Sequence, residues 1–331
     1  MTRISSRLLG YIFALGASIS FAASVTAADF FVVNGNDSGV GSLRQALADA
    51  AASPGGDTIT ITTTVPIILA GTALAVNSEV EIIGNHSTVD AAGLSRVFDV
   101  ISSGAGCVRF RGLRITGANF SGIGVSSGAC VVVVDCAITG NRAGSGGGIF
   151  ANGADLTVAY SSIDDNEATT GSGGGLSAAS STVLLLNTTV AQNTAKVSGG
   201  GAMFTSSSTV TITNCTITDN LADADDDGVG DGGGFGNVSS TLTIANTAVT
   251  GNQDSPGNDG TGTIHPNITA SVGSITTQGQ NFIGRNDSVA GTFPAGSPNA
   301  GCALRCSDYS RGLWLPACWH SRIGSGPCNW T

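Results

Sequence analysis

Charged and aromatic residues are scarce in this sequence of 331 residues. Charged side chains make up 11% of the chain and aromatic ones 5%, and Lys196 is its single lysine. The net charge of -10 argues against a nucleic-acid-binding protein, because phosphate recognition requires clustered Lys and Arg. With 49 glycines and many β-branched residues, the composition predicts strands rather than long helices or disorder.

Long apolar runs are also lacking, except near the N-terminus. There, Arg3 and Arg7 precede an apolar segment that is short for a membrane span, and small residues follow it up to Ala27. This pattern predicts a secretory signal peptide over residues 1–27, cleaved near Ala27, with a membrane anchor as the alternative. We therefore expect a secreted protein, extracellular or on the outer-membrane surface of a bacterium, without a transmembrane segment in its mature chain, in a compartment that permits disulfides.

The middle of the chain is repetitive. Four glycine triplets recur, and five related segments each end in an asparagine, at spacings of 25, 27, 27 and 32 residues. A fixed period in this range indicates a solenoid. The asparagines are Asn141, Asn166, Asn193, Asn220 and Asn252. A second column, six residues earlier, contains Asp135, Tyr160, Asn187, Asn214 and Asn246.

Apolar residues alternate within each repeat as they do in strands. The positions ten and eight residues before each asparagine are always apolar, and so is the position three residues before it. A repeat therefore contains two short strands around a turn, a third strand after the glycine triplet, and no room for a helix. The sequence predicts an all-β fold, a parallel β-helix of about eight or nine coils over residues 57–290. In it, asparagine columns pass amide hydrogen bonds from coil to coil, and glycines permit tight turns.

Two cysteine columns follow from this alignment. Cys107 and Cys130 occupy the same column of adjacent coils, within disulfide reach if both side chains point the same way. Cys136 and Cys215 share another column but lie three coils apart, which is too far for a bond.

Two segments carry a family resemblance. The stretch "GVGSLRQALADAAASPGGDTITI" resembles the N-terminal segment of bacterial CSLREA-type proteins, with Gly41 and Gln45 in place of the signature Cys and Glu. The later "DAAGLSRVFDVISSGAGCVRFRGLRITG" and the repeats are similar to polymorphic outer-membrane proteins. This resemblance implies a right-handed β-helix of the pectate-lyase-like architecture.

A short amphipathic helix is predicted between the signal peptide and the repeats. Its apolar stripe consists of Leu43, Ala46, Leu47 and Ala50. We expect it to cover the open end of the first coil as part of a cap segment over residues 28–56, because an exposed strand edge invites pairing with other chains.

The last segment, residues 291–331, departs from the repeat pattern. From residue 301 it contains all three Trp, four of the eight Cys and no Val. It is either a small tail tied by disulfides among Cys302, Cys306, Cys318 and Cys328, or the product of a frameshift; a zinc site is disfavoured because no C-x-x-C pair occurs.

One coil contains an acidic insertion, "DNLADADDDGVGDGGGFG". Asp223, Asp225, Asp227, the carbonyl of Val229 and Asp231 fall at alternating positions, and Gly228 allows the sharp bend. Oxygen ligands at this spacing can surround Ca²⁺, although Gly234 stands where an EF-hand has its bidentate Glu. The sequence predicts a structural Ca²⁺ site here, with a solvated acidic loop as the alternative.

Catalytic motifs are missing. Asp164 and Asp165 could form an acid–base pair, but adjacent strand residues point to opposite faces, and His86, His265 and His320 belong to no motif. We therefore predict a secreted or cell-surface protein, monomeric, with a structural or adhesive role and carbohydrate or a cell-surface protein as its partner. The alternative is a polysaccharide lyase or glycoside hydrolase on the same scaffold.

Overall fold

The computed structural model describes residues 27–255 and 267–284, which form thirty strands and one α-helix, α1 (Leu43–Ala52). In chain order the strands are β1 (Asp29–Val32), β2 (Asp57–Ile61), β3 (Ile67–Ile68), β4 (Leu74–Val76), β5 (Val80–Asp90), β6 (Phe98–Val100), β7 (Val108–Thr116), β8 (Ile123–Val125), β9 (Cys130–Val134), β10 (Ala137–Thr139), β11 (Arg142–Ala143), β12 (Ile149–Asn152), β13 (Asp155–Ala159), β14 (Ser162–Asp164), β15 (Glu167–Ala168), β16 (Leu176–Ala179), β17 (Thr182–Leu186), β18 (Thr189–Ala191), β19 (Thr194–Ala195), β20 (Ala202–Thr205), β21 (Thr209–Thr213), β22 (Thr216–Thr218), β23 (Leu221–Ala222), β24 (Phe235–Val238), β25 (Thr241–Ala245), β26 (Ala248–Thr250), β27 (Gln253–Asp254), β28 (Ile268–Ser271), β29 (Ser274–Gln278) and β30 (Phe282–Ile283).

The strands stack in parallel into sheets, which confirms the predicted β-helix. The largest sheet has 17 strands and contains two stacks, joined because β5 and β7 each run through both. A sheet of five two-residue strands follows at the corner, and a sheet of eight strands, β4 to β28, closes each coil. Within the described ranges, each coil contributes one strand to the eight-stranded sheet. From its first strand to its last, the chain therefore makes about seven turns. The prediction of eight or nine coils was therefore slightly too high. It assumed that coils of about 27 residues continue as far as residue 290.

The core is the interior of the solenoid. Along β17 and β21, residues alternate between exposed or half-buried and fully buried, as the sequence pattern predicts. Two pairs of buried aromatic rings pack within this core: the ring centroids of Phe98 and Phe110 lie 4.6 Å apart, and those of Phe204 and Phe235 lie 6.3 Å apart.

The asparagine column forms a continuous buried ladder. From Asn141 to Asn252, each side-chain amide donates to the side-chain oxygen of the next asparagine in the column at 2.8–3.0 Å, and the acceptor for Asn252 is Asn267. Each amide also donates to a carbonyl of the preceding coil. The column six residues earlier has φ between 48° and 55°, the left-handed conformation that Asn and Asp tolerate best. The predicted hydrogen bonding from coil to coil thus occurs in one column, and the left-handed backbone occurs in the other.

The glycine triplets serve close packing as well as turns. Only their first glycine has a positive φ, 72° at Gly173 for example. At the third glycine, a Cβ on Gly175 would lie 2.6 Å from the carbonyl oxygen of Gly201 and 2.9 Å from Nδ2 of Asn193. Any larger residue would therefore separate the coils next to the asparagine ladder.

The N-terminal end of the solenoid is closed by β1 and α1. The helix packs on β1, β2 and β4 through the four apolar residues predicted from the sequence, all buried. Ser42 caps it, because the side chain accepts a hydrogen bond from the backbone N of Gln45. The predicted capping helix is therefore confirmed.

Both cysteine expectations are met in the described part of the chain. Cys107 and Cys130 form a disulfide between adjacent coils, with 4.6 Å between their Cα atoms. Cys136 and Cys215 are buried and unbonded. The predicted signal peptide up to residue 26, His265, His320, the end of the predicted repeats beyond residue 284 and the tail with its four cysteines lie outside the described residues. No helix among the described residues is long and apolar enough to cross a membrane.

Candidate functional site

The aspartate loop, residues 223–231, leaves the solenoid after β23. Asp223 is fully buried, has φ 49°, and donates its backbone N–H to the carbonyl oxygen of Val197 at 2.9 Å. At the other end, Gly230 approaches the same coil so closely that a Cβ would lie 2.6 Å from the carbonyl oxygen of Val197. The loop is therefore anchored at both ends on the preceding coil.

The Asp223 carboxylate organises this loop from within. Its Oδ1 accepts the backbone N–H of Asp227 at 3.1 Å, and its Oδ2 accepts that of Gly228 at 3.2 Å. Asp227 in turn accepts the N–H of Val229 at 2.9 Å. These short-range bonds turn the chain back on itself, which draws successive carboxylates toward one point.

Three of the five predicted cation ligands come together. Carboxylate oxygens of Asp223, Asp225 and Asp227 lie within 4.8 Å of one another. Asp231 does not join this group; its backbone N–H donates to Oγ of Ser198 at 3.1 Å. The side chain of Val229 is exposed, and only its carbonyl was expected to act as a ligand.

The electrostatics of the cluster are unfavourable without a cation. Burial raises the pKa of Asp223, the neighbouring carboxylates of Asp227 and Asp225 raise it further, and the two backbone N–H donors lower it. One cation is supplied by the protein, because Nζ of Lys196 lies 3.0 Å from Oδ2 of Asp225. That hydrogen bond raises the pKa of Lys196, so the amine stays protonated. A single lysine faces three carboxylates, and a net negative charge remains.

The other candidate carboxylates do not form a site. Asp164 is the last residue of β14, whereas Asp165 is an exposed residue of the following turn with φ 54°. The two therefore lie in different local structures. Neither takes part in a salt bridge among the residues that the structure describes. His86 also has a positive φ of 65° and is a turn residue in β5.

The outer face of the last coils forms a continuous surface of hydroxyl groups. Strands β17, β21, β25 and β29 pair in register, so outward residues stack in columns. One column contains Thr182, Thr209, Thr241 and Ser274, and the next contains Leu184, Thr211, Thr243 and Thr276. No charged residue lies in these four strands. The sequence analysis did not single out this surface, although the T-x-T spacing of "TVTIT" and "TLTIA" was a visible signal.

A shallow cleft on the eight-stranded sheet was also missed. It has a volume of about 190 Å³ and contains the ion pair of Arg96 and Asp99, whose Nη1 and Oδ1 lie 2.8 Å apart. Phe150 and Asn152 line its other side. Because Arg96 and Asp99 come from one short segment and neutralise each other, the cleft offers no unpaired charge for catalysis.

Comparison with known proteins agrees with the architecture. The profile of the family described as "Right handed beta helix region" matches residues 77–253, more than half of the chain. The chain belongs to this right-handed β-helix family. The matched range extends from just before β5 to the start of β27, so it contains the ladder from Asn141 to Asn252 and the aspartate loop. No curated protein matches the sequence significantly.

Proposed function

We propose that this β-helix protein is a secreted or cell-surface binding scaffold, monomeric, which contacts carbohydrate through its hydroxyl surface and is stiffened by Ca²⁺ in the aspartate loop. A cell-surface protein is the second candidate partner. The observation that carries the proposal is the hydroxyl surface of β17, β21, β25 and β29. The resemblance to CSLREA-type and polymorphic outer-membrane proteins supports the cell-surface location.

The hydroxyl surface suits a partner that is itself rich in hydroxyl groups. Each threonine hydroxyl donates one hydrogen bond and accepts others, so it can pair with a sugar hydroxyl in either direction. Threonine is β-branched and held by its strand, which lowers the entropy lost on binding. Because strands stack at roughly 4.8 Å, the surface also repeats regularly, as a polysaccharide does.

Variants on two faces test this binding. Thr211→Arg and Thr243→Arg place bulky charges in the middle of the hydroxyl surface, whereas Ser177→Arg places one on the eight-stranded sheet as a matched control. We expect retention on insoluble neutral polysaccharides such as cellulose, chitin or xylan to fall at least tenfold for the first pair and to persist for the control. Equal retention of all three variants would contradict the proposal.

The aspartate loop fits Ca²⁺ by the chemistry of its ligands. Ca²⁺ prefers carboxylate and carbonyl oxygens in flexible arrangements, and Asp223, Asp225 and Asp227 already converge. Lys196 competes for Asp225, since its ammonium occupies one side of that carboxylate. When bound, Ca²⁺ would neutralise the cluster and fasten the loop to the preceding coil.

Calorimetric titration with Ca²⁺ tests the loop. We expect Asp225→Asn to weaken binding, because it removes a charged ligand, and Lys196→Gln to tighten it, because it removes the competing cation. Opposite changes in affinity for the two variants would show that Ca²⁺ binds at this loop and not elsewhere on the chain. Absence of binding to the unsubstituted chain would leave Lys196 as the one described counter-ion of the cluster and remove Ca²⁺ from the proposal.

Lys196 is also the observation that favours the alternative, a polysaccharide lyase, because a basic side chain beside an acidic cation site could abstract a proton. Its pKa argues against that role: a general base needs a pKa near the working pH, and the bond to Asp225 moves that of Lys196 upward. Release of unsaturated ends from polygalacturonate, lost in Lys196→Gln, would nevertheless establish the alternative.

A further inference from the structure

A buried carboxylate that forms no salt bridge with any described residue lies at the N-terminal end of the solenoid. Asp57, the first residue of β2, is only 2% exposed. Its Oδ1 accepts the backbone N–H of Ala28 at 2.7 Å and the hydroxyl of Ser53 at 3.3 Å. Its Oδ2 is buried and accepts no hydrogen bond from any residue that the structure describes. A buried carboxylate left in this condition is costly.

The surroundings of Asp57 make a negative charge less favourable still. Ser53 is the C-cap of α1, so the carboxylate lies beside the negative end of the helix dipole. The last turn of α1 contains no basic residue. Among residues 27–255 and 267–284, no basic side chain forms a salt bridge with Asp57. A cation is therefore the group that this position lacks.

The backbone nitrogen of Ala28 is placed to become that cation. Ala28 is held next to Asp57, because its carbonyl oxygen accepts the N–H of Thr58 at 2.9 Å where β1 begins to pair with β2. The bond between Ala27 and Ala28 is also where the small residues after the apolar segment predict cleavage by a signal peptidase. The predicted cleavage would therefore free the same nitrogen atom that donates to Asp57 in the structure.

We propose that hydrolysis of the Ala27–Ala28 bond creates the ion pair that completes the N-terminal cap, with the α-ammonium of Ala28 on the carboxylate of Asp57. A signal peptidase supplies the catalysis and water is the co-reactant: one water adds across the amide, Ala27 leaves as a carboxylate, and the Ala28 amine retains the remaining protons as –NH₃⁺. The amide N–H of the precursor gives Asp57 one donor. The ammonium gives it three donors and a positive charge, which can satisfy Oδ2 as well.

This ion pair makes the stability of the cap depend on processing. Before cleavage the chain must bury Asp57 with a single amide donor, and after cleavage the charge is paired. The inference concerns the N-terminal cap alone. It is independent of the hydroxyl surface and of the aspartate loop, so its failure would leave the proposed function unchanged.

The test begins with the secreted protein. Export of the full chain from a bacterium and sequencing of the mature N-terminus should give Ala28 as the first residue. The α-amine should react with an amine-labelling reagent at least tenfold more slowly in the folded chain than in urea, because it is held on Asp57. A different first residue, or an α-amine that reacts equally in both states, would overturn the proposal.

A second test measures the coupling between the two groups. Chains that start at Ala28 and chains with one extra Gly before Ala28 are prepared from a cleavable fusion, each with and without Asp57→Asn. We expect the extra Gly to lower the melting temperature by about 3–5 °C when Asp57 is present. This shift corresponds to a roughly tenfold decrease in the equilibrium constant for folding. In the Asp57→Asn background the extra Gly should have little effect. Equal losses in both backgrounds would show that the ammonium and the carboxylate do not interact.

Discussion

The asparagine ladder should dominate the stability of the middle coils, and Asn193→Ala tests this. Asn193 is fully buried; its Nδ2 donates to the carbonyl oxygen of Ile163 at 2.8 Å and to Oδ1 of Asn220 at 2.9 Å. Its Oδ1 accepts both the backbone N–H and the Nδ2 of Asn166 at 3.0 Å. The substitution therefore removes four hydrogen bonds in the interior of the solenoid.

The expected loss follows from the groups that remain buried. The backbone N–H of Asn166 loses its acceptor and the Ile163 carbonyl loses a donor, whereas Nδ2 of Asn166 keeps the carbonyl oxygen of Ile138. Two weakened or orphaned groups at about 1–3 kcal/mol each give a loss of about 2–6 kcal/mol in the free energy of unfolding. Thr182→Ala, an exposed position in the same coil, should stay within about 0.5 kcal/mol.

Urea unfolding followed by circular dichroism measures the free energy for both variants, and hydrogen exchange localises the effect. Localisation matters because a solenoid can lose coils without unfolding as one unit. Exchange should accelerate at the amide of Asn166 and in the two adjacent coils. A loss no larger than that of Thr182→Ala, or faster exchange spread evenly over all coils, would show that the ladder does not hold the middle coils together.

Three further predictions concern other parts of the fold. Gly175→Ala should cost about 1–3 kcal/mol because its Cβ meets a carbonyl of the next coil, whereas Gly144→Ala, with 3.2 Å to its nearest neighbour, should change the unfolding midpoint little. Reduction of the Cys107–Cys130 disulfide, which closes a loop of 23 residues, should lower the free energy of unfolding by about 3 kcal/mol. The pKa of Asp223 is raised in the folded state, so its contribution to stability is present below the unfolded value of about 3.9 and is lost as pH rises through the folded pKa. Loop protection from exchange, measured without Ca²⁺, should therefore be lower at pH 7 than at pH 4, and Ca²⁺ should restore it at pH 7; protection that rises with pH would contradict this.

The repeat pattern made most of the fold predictable. Asn166 and Asn193 recur at a fixed period, and the apolar positions before them alternate, so strand order, register and the disulfide column followed from alignment alone. The ladder was predictable because identical residues in register must meet when coils stack. The exact number of turns was less so, since the repeats at both ends are irregular and the period had to be extrapolated.

The candidate sites were harder to derive from sequence. The spacing of Asp223, Asp225 and Asp227 indicated that they could converge, but the place of Lys196 depends on how two coils of different length stack. Asp57 could not be recognised as special, because a single aspartate at the start of a strand is common in sequences. Its burial and its distance from the Ala28 nitrogen arise from the docking of α1 and β1, which no local pattern encodes.

The β-helix should bind a polysaccharide without cleaving it, and a single experiment distinguishes binding from cleavage. The chain that starts at Ala28 is incubated with neutral and acidic polysaccharides, with Ca²⁺ or with a chelator, and both retention and released reducing or unsaturated ends are measured. We predict retention on at least one neutral polysaccharide, lost in Thr211→Arg, with no release of ends from any polymer. Calcium-dependent release of ends from a polyuronate, or no retention on any polymer, would contradict the account.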